Sequence, residues 1–158
     1  MERTYWQKQT SDKPLFPDLL WSRPENKRTA GKLLIIGGNI HGFSSVGEAY
    51  SEARQAGVGS IRILLPDALQ KTVGNHLEVA EFAPSTPSGS FSQAALATSL
   101  ELGRWADGVL IAGDLARNSE TAIWLEKFIV GYEGQLTLAK DAIDYSGHVS
   151  ATVLTRPV

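Results

Sequence analysis

The chain has 158 residues, of which 42% are hydrophobic and 20% are charged, and its formal net charge is −2. This length and composition fit one globular domain and exclude a fibrous or intrinsically disordered chain. Because the chain has no excess of basic residues, nucleic acid is not an expected partner. Because it has no cysteine, it can form neither a disulfide framework nor a thiolate zinc site.

The N-terminus and the histidines exclude further classes. The first 16 residues, MERTYWQKQTSDKPLF, carry charges and a proline where a secretory signal needs an apolar segment. No apolar stretch approaches the roughly 20 residues that cross a membrane. We therefore expect a cytoplasmic protein that has no membrane partner. His41, His76 and His148 lack the spacing of a metal site, so no metal bound by histidine is expected.

Short apolar runs alternate with helical segments along the chain. Residues 1–30 hold three prolines and scattered aromatic side chains, and they predict an irregular arm before a domain of residues 31–158. The predicted strands are 33–36, 60–66, 77–84 and 107–113, then a fifth strand and a turn within 134–147, and a sixth strand that begins within 150–158. The predicted helices are 44–55, 67–76, 91–106 and 118–132.

This alternation predicts an α/β domain with a mainly parallel sheet. Ligands of such sheets bind at the carboxyl ends of the strands. Two loops are predicted to lie at that edge, residues 37–45 after the first strand and residues 113–118 after the fourth. These loops are the candidate binding segments.

The first loop reads GGNIHGF, from Gly37 to Phe43, and precedes a helix. Backbone N–H groups beside a helix N-terminus form a natural anion site. The glycine spacing, however, is neither GxGxxG nor that of a P-loop. A tight turn between strand and helix explains the pattern equally well, and His41 fits either a substrate contact or a solvated loop position.

Carboxylates follow the later strands. Asp114 comes after the fourth strand, and Asp141 and Asp144 come after the fifth. Carboxylates at strand ends bind magnesium, accept ribose hydroxyl groups or act as bases. They equally cap helices and form turns. No serine–histidine–acid triad can be assembled from the sequence.

Four segments carry a resemblance to a known family: NKRTAGKLLIIGGN, EARQAGVGSIRILLPDAL, ADGVLIAGDLARNSET and LTLAKDAID. In this order they resemble the N-terminal half of the ADP/ATP-dependent NAD(P)H-hydrate dehydratases, members of the ribokinase-like superfamily. The resemblance covers about residues 26–155. It implies a three-layer α/β sandwich with a mainly parallel sheet, ordered as in ribokinase-like proteins.

The resemblance also implies a binding surface for a nucleotide or a hydrated NAD(P)H. Its implied residues are Gly37, Gly38, Asn39, His41, Gly42, Phe43, Gly113, Asp114 and Asp141. Gly37 and Gly38 match the paired glycines of the family, and Asn39 takes the place of the serine that follows them. Gly42 and Phe43 resemble its Gly-Tyr pair.

The sequence departs from the family pattern at several positions of these loops. Ser45 and Val46 replace the family's Gly-Ala. The family's GPGLG motif aligns with AGDLA (112–116), which adds a carboxylate at Asp114. Its DADAL motif aligns with AKDAI (139–143), which keeps only the second aspartate. A Cβ or a charge here obstructs a phosphate-bearing ligand. Asp114 is therefore expected to repel phosphate, unless a cation lies between them or its own helix takes the carboxylate as a cap.

The family reaction repairs hydrated nicotinamide cofactors, and the resemblance implies ADP or ATP with Mg²⁺ as the phosphoryl donor. The family's GxGD segment, which carries the catalytic aspartate, does not occur in these 158 residues. We expect a divergent dehydratase-like protein that is incomplete or inactive as this chain alone, because it is a fragment or because another polypeptide supplies the second half. The alternative hypothesis is a non-catalytic module that binds a ligand or forms a homo-oligomer.

Overall fold

The computed structural model describes residues Thr10, Asp12, 24–74 and 76–146. The strands are β1 (Lys32–Gly37), β2 (Ser60–Pro66), β3 (Ala80–Ala83), β4 (Gly108–Gly113) and β5 (Gln135–Leu138). The α-helices are α1 (Ser44–Gln55), α2 (Gln70–Val73), α3 (Leu96–Trp105), α4 (Ser119–Gly131) and α5 (Asp141–Ser146). Short 3-10 turns span Lys27–Thr29, Asp67–Leu69 and Gln93–Ala95.

The described strands form one sheet in the order β3-β2-β1-β4-β5, and every strand pairing is parallel. Alternate side chains of β1 point to opposite faces, as expected of a strand that is buried on both sides. Leu34 and Ile36 pack with α3 and α4, whereas Ile35 packs with α1 and α2. The predicted three-layer α/β sandwich is therefore confirmed.

A stack of aromatic rings fixes α4 against the sheet. Phe91 stacks on Trp124 with ring centroids 4.5 Å apart, and Phe128 lies between Trp124 and Tyr132 at 6.1 and 5.4 Å. The indole N–H of Trp124 donates to Ser99 Oγ at 3.1 Å, so its polar atom is satisfied in the core. Trp124 and Phe128 lie four residues apart on one face of α4, and Tyr132 follows at the C-cap position of the helix. This packing also positions the N-terminus of α4 beside the loop that leaves β4.

The predicted boundaries hold for some elements and not for others. β2 spans the predicted residues, and Asn118 caps α4 by accepting hydrogen bonds from the amides of Glu120 and Thr121. The third strand is shorter than predicted, and the predicted helix 67–76 is a 3-10 turn followed by the single turn of α2. The turn predicted after β5 is wrong, because this segment forms α5. Its Ala142 is fully buried in the core, so tertiary packing stabilises a helix too short to persist alone.

Two predicted features lie largely outside the described residues. These are the irregular arm of residues 1–30, apart from Thr10, Asp12 and 24–30, and the sixth strand within 150–158. In the part of the chain that the structure describes, no helix is both long and apolar enough to span a membrane.

Candidate functional site

The two candidate loops meet at the point where the strand order reverses. β1 and β4 are neighbours in the sheet, but the chain continues from β1 to one side of the sheet and from β4 to the other. Open α/β sheets bind ligands in the crevice that this divergence leaves at the carboxyl ends of the strands. Residues 37–45 and 113–118 line that crevice, as the sequence predicted.

The glycines of the two loops pack directly against each other. Gly37 pairs with Gly113 across a register shift, and the amide of Gly38 donates to the carbonyl of Gly113 at 3.0 Å. A Cβ on Gly37 would lie 2.5 Å from that carbonyl oxygen and 2.9 Å from Val46 Cγ2. Gly113 has φ +101°, and a Cβ there would lie 2.8 Å from Asp141 Oδ1. The protein's own packing therefore requires glycine at both positions.

Asn39 joins the two loops. Its backbone pairs with Gly42 through two hydrogen bonds of 2.9 and 3.0 Å, which close a tight turn. Its side chain, only 8% exposed, accepts from the amide of His41 at 2.8 Å and donates to the carbonyl of Asp114 at 2.6 Å. The His41 side chain is exposed, and Phe43 packs on the α1 side of the sheet. Asn39 therefore holds the first loop against the second.

Asp114 caps α1, a helix in another part of the sequence. Its Oδ2 accepts from the amide of Ser45 at 2.8 Å, while Phe43, at the N-cap position of α1, provides no side-chain cap. Lys140 Nζ lies 4.0 Å from Asp114 Oδ1 and donates to Ser45 Oγ. The predicted anion site at this helix N-terminus therefore holds the chain's own carboxylate. The sequence suggested a cap on the helix that follows Asp114, but Asn118 caps that helix.

The surroundings of Asp114 favour its ionised form. Burial by itself would raise the pKa of Asp114, but hydrogen bonds from the amide and hydroxyl of Ser45, the positive charge of Lys140 and the hydroxyl of Ser44 act the other way. Together they hold the pKa of Asp114 below its ordinary value.

This pKa shift predicts a pH-dependent contribution to stability. Because the pKa of Asp114 is lower in the folded chain than in the unfolded chain, the charge stabilises the fold above the unfolded-state pKa. That contribution disappears as the pH falls through the folded-state value. We expect wild type to exceed Asp114→Asn in thermal midpoint at neutral pH, and the difference to shrink below about pH 4. A difference that stays constant or grows in acid would contradict this assignment.

Asp141 holds the loop after β4. Its Oδ2 accepts from the amide of Leu115 at 2.8 Å, and its Oδ1 is buried beside Gly113 with no hydrogen-bond partner among the described residues. Asp144, one turn further along α5, is exposed. Of the two carboxylates that follow β5, Asp141 lies at the predicted crevice and Asp144 faces elsewhere.

Three non-glycine residues at this edge of the sheet have a left-handed backbone: Asp114 (φ 57°), Ala116 (φ 60°) and Lys140 (φ 52°). Such conformations are uncommon away from glycine and concentrate at functional sites, where the surrounding structure imposes them. The sequence did not indicate Ser45 or Lys140 as site residues. Their departure from the family pattern was the available clue, because both contact Asp114.

The amide of Ser45 at the N-terminus of α1 is already bonded to the carboxylate of Asp114. A Cβ on Gly42, in the same loop, would meet no atom within 4 Å. Among the described residues, no group of three His, Asp or Glu side chains is placed to hold a metal ion.

No protein-family model and no curated protein matches the chain. Among solved structures, the crystal structure of a ribokinase-like superfamily protein from Enterococcus faecalis is similar, with a TM-score of 0.65 and 16% sequence identity. The similarity covers 85% of this chain and 46% of that one. The chain has a ribokinase-like fold, as the sequence resemblance implied. It spans about half the length of that structure.

Proposed function

We propose that this chain is a divergent relative of the NAD(P)H-hydrate dehydratases that acts as a ligand-binding domain and does not by itself catalyse phosphoryl transfer. The ribokinase-like fold and the four segments of sequence resemblance support this lineage. One observation carries the proposal. The carboxylate of Asp114 occupies the N-terminus of α1, where a phosphate group would otherwise be bound.

The departures from the family pattern also contact one another. Asn39 donates to the backbone of Asp114, the carboxylate of Asp114 accepts from Ser45, and Lys140 lies against both Ser45 and Asp114. We call these four residues the crevice network. Substitutions that accumulate independently have no reason to form one connected set of contacts. The crevice network therefore supports a rebuilt site, in which polar side chains replace a phosphate cradle.

Electrostatics gives the crevice network its selectivity. Two like charges about 4 Å apart repel by about 4 kcal/mol at the effective dielectric constant near 20 that suits protein surfaces. Lys140 offsets part of this repulsion, but it is itself shared between Asp114 and Ser45. A nucleoside diphosphate would have to displace the Asp114 carboxylate before one of its phosphate oxygens could reach the amide of Ser45. We propose that wild type excludes ADP and ATP from this crevice for that reason.

Calorimetry with ADP, ATP and NADH tests the proposal. We expect no binding at micromolar concentrations by wild type, and an affinity higher by about tenfold or more in Asp114→Gly and Asp114→Asn. Glycine removes the carboxylate and suits the left-handed backbone, while asparagine keeps the side-chain size and removes only the charge. Glu48→Gln removes a negative charge from an exposed position of the same helix and should change nothing.

Three results would contradict the proposal. Micromolar nucleotide binding by wild type that Asp114→Asn abolishes would make Asp114 a ligand-binding residue. Dehydration of hydrated NADH by the purified chain at an ordinary enzymatic rate would show that the chain is catalytically complete. If neither Asp114 variant gains affinity, charge at Asp114 is not what excludes the nucleotide.

A further inference from the structure

A second cavity opens at the same edge of the sheet, on the other side of the loop after β4. Asp114 in this loop faces α1, but Leu115 is buried in the core on the α3 and α4 side, so the loop crosses from one face of the sheet to the other. The cavity beyond it has a volume of about 510 Å³, within the range of small-molecule sites. Its lining consists of Arg117, Asn118, Ser119 and Ala122, at or just before the start of α4, and of Asp141, Asp144 and Tyr145 from α5.

Hydrogen bonds fix the walls of this cavity. The hydroxyl of Tyr145 donates to the carbonyl of Ala116 and accepts from the amide of Asn118 at 3.1 Å. The Asn118 side chain caps α4 and donates to Ser88 Oγ at 2.9 Å. The tyrosine ring therefore cannot swing away without breaking two hydrogen bonds. A wall held in this way is organised before a ligand arrives, which lowers the entropic cost of binding.

The cavity presents opposite charges that do not neutralise each other. Arg117 and Asp144 are both exposed and line the same cavity, yet neither takes part in an ion pair within the described part of the chain. Ser119 is the first residue of the 13-residue α4, and the Asn118 side chain accepts from the amides of Glu120 and Thr121 and not from that of Ser119. The cavity thus offers the positive charge of Arg117 and the amide of Ser119 as donors, and Asp144 offers an exposed carboxylate. Asp141, the second carboxylate of the lining, is less accessible, because its Oδ2 accepts from the amide of Leu115 and its Oδ1 is buried.

We propose that this cavity binds a small zwitterion, a molecule that carries both a carboxylate and an ammonium group, such as an amino acid. Its carboxylate would contact the guanidinium of Arg117 and the amide of Ser119, and its ammonium group would contact Asp144. A ligand with a negative charge alone would leave Asp144 uncompensated, and one with a positive charge alone would leave Arg117 uncompensated. The crevice network takes no part in this site.

Nuclear magnetic resonance of the full 158-residue chain tests the proposal, with glycine, β-alanine and γ-aminobutyrate as probes. These three zwitterions differ in the distance between their charges, so the best binder also measures the span of the site. We expect them to shift the amide signals of Ser119, Ala122 and Tyr145 in a saturable way. Acetate and methylammonium, which carry one charge each, should not. Arg117→Gln and Asp144→Asn should each weaken binding by about tenfold.

Matched variants complete the experiment. Arg28→Gln and Glu126→Gln remove the same charges from exposed positions outside the cavity and should bind as wild type, with circular dichroism confirming the fold of each variant. The proposal is overturned if no zwitterion saturates these signals, if the singly charged probes bind equally well, or if Arg117→Gln and Asp144→Asn bind as wild type.

Discussion

Replacing Trp124 with alanine is expected to lower the free energy of unfolding by about 3–5 kcal/mol. Trp124 is fully buried and stacks between Phe91 and Phe128, and its indole N–H donates a hydrogen bond to Ser99 Oγ. Alanine removes this packing and leaves a cavity under α4, where the surrounding rings can collapse only in part. Urea denaturation followed by circular dichroism measures the loss.

Two variants of the same helix give this measurement its controls. Ile123→Ala removes an apolar side chain that is 37% exposed, and it should cost clearly less. Trp124→Phe keeps a ring in the stack but loses the hydrogen bond to Ser99, and it should fall between wild type and Trp124→Ala. If Trp124→Ala were no more destabilising than Ile123→Ala, the aromatic stack would not be what holds α4 on the sheet.

Gly37→Ala is the second change for which we expect a large effect. The added Cβ would lie 2.5 Å from the carbonyl oxygen of Gly113, a backbone atom of the neighbouring central strand that cannot move aside alone. Separating β1 from β4 to make room would strain the pairing at the crevice. We expect the free energy of unfolding to fall by up to about 3 kcal/mol, the range of an overpacked core. Urea denaturation again provides the measurement.

Gly42→Ala is the matched control, since Gly42 belongs to the same loop and a Cβ there would meet no atom within 4 Å. We expect its stability to stay within about 0.5 kcal/mol of wild type. Equal losses in the two variants would mean that the loop needs glycine for its backbone conformation in general. A loss confined to Gly37→Ala would assign the requirement to the contact with β4.

Most strands of the sheet were predictable because each contains a short apolar run. In SIRILLP the last four residues, Ile63 to Pro66, are all buried, as expected of a strand covered on both faces, and Pro66 marks its end. α5 was not predictable, because its six residues form a helix only through the burial of Ala142 and the hydrogen bonds of Tyr145. Local sequence carries no record of such tertiary contacts.

The place of the candidate site was predictable, but its contacts were not. The rule that ligands bind where strand order reverses locates Gly37 and Gly113 from the order of elements alone. The capping of α1 by Asp114 joins residues 69 positions apart and depends on a left-handed backbone at Asp114. Neither fact follows from the spacing of residues in one loop. The resemblance identified the positions that differ from the family, and only the fold showed that they touch.

The pairing of β1 with β4 also determines when the crevice can exist during protein synthesis. The bonds from Lys32 to Asp107 and from Asn39 to Asp114 each span 75 positions of the chain. A ribosome adds about 5–20 residues per second, so β1 is synthesised about 4–15 s before β4, its second neighbour in the sheet. Throughout that interval one edge of the apolar strand Leu33–Ile36 has no partner in its own chain and can pair with another. The segment that carries the first candidate loop is therefore the described strand that waits longest for its second partner in the sheet.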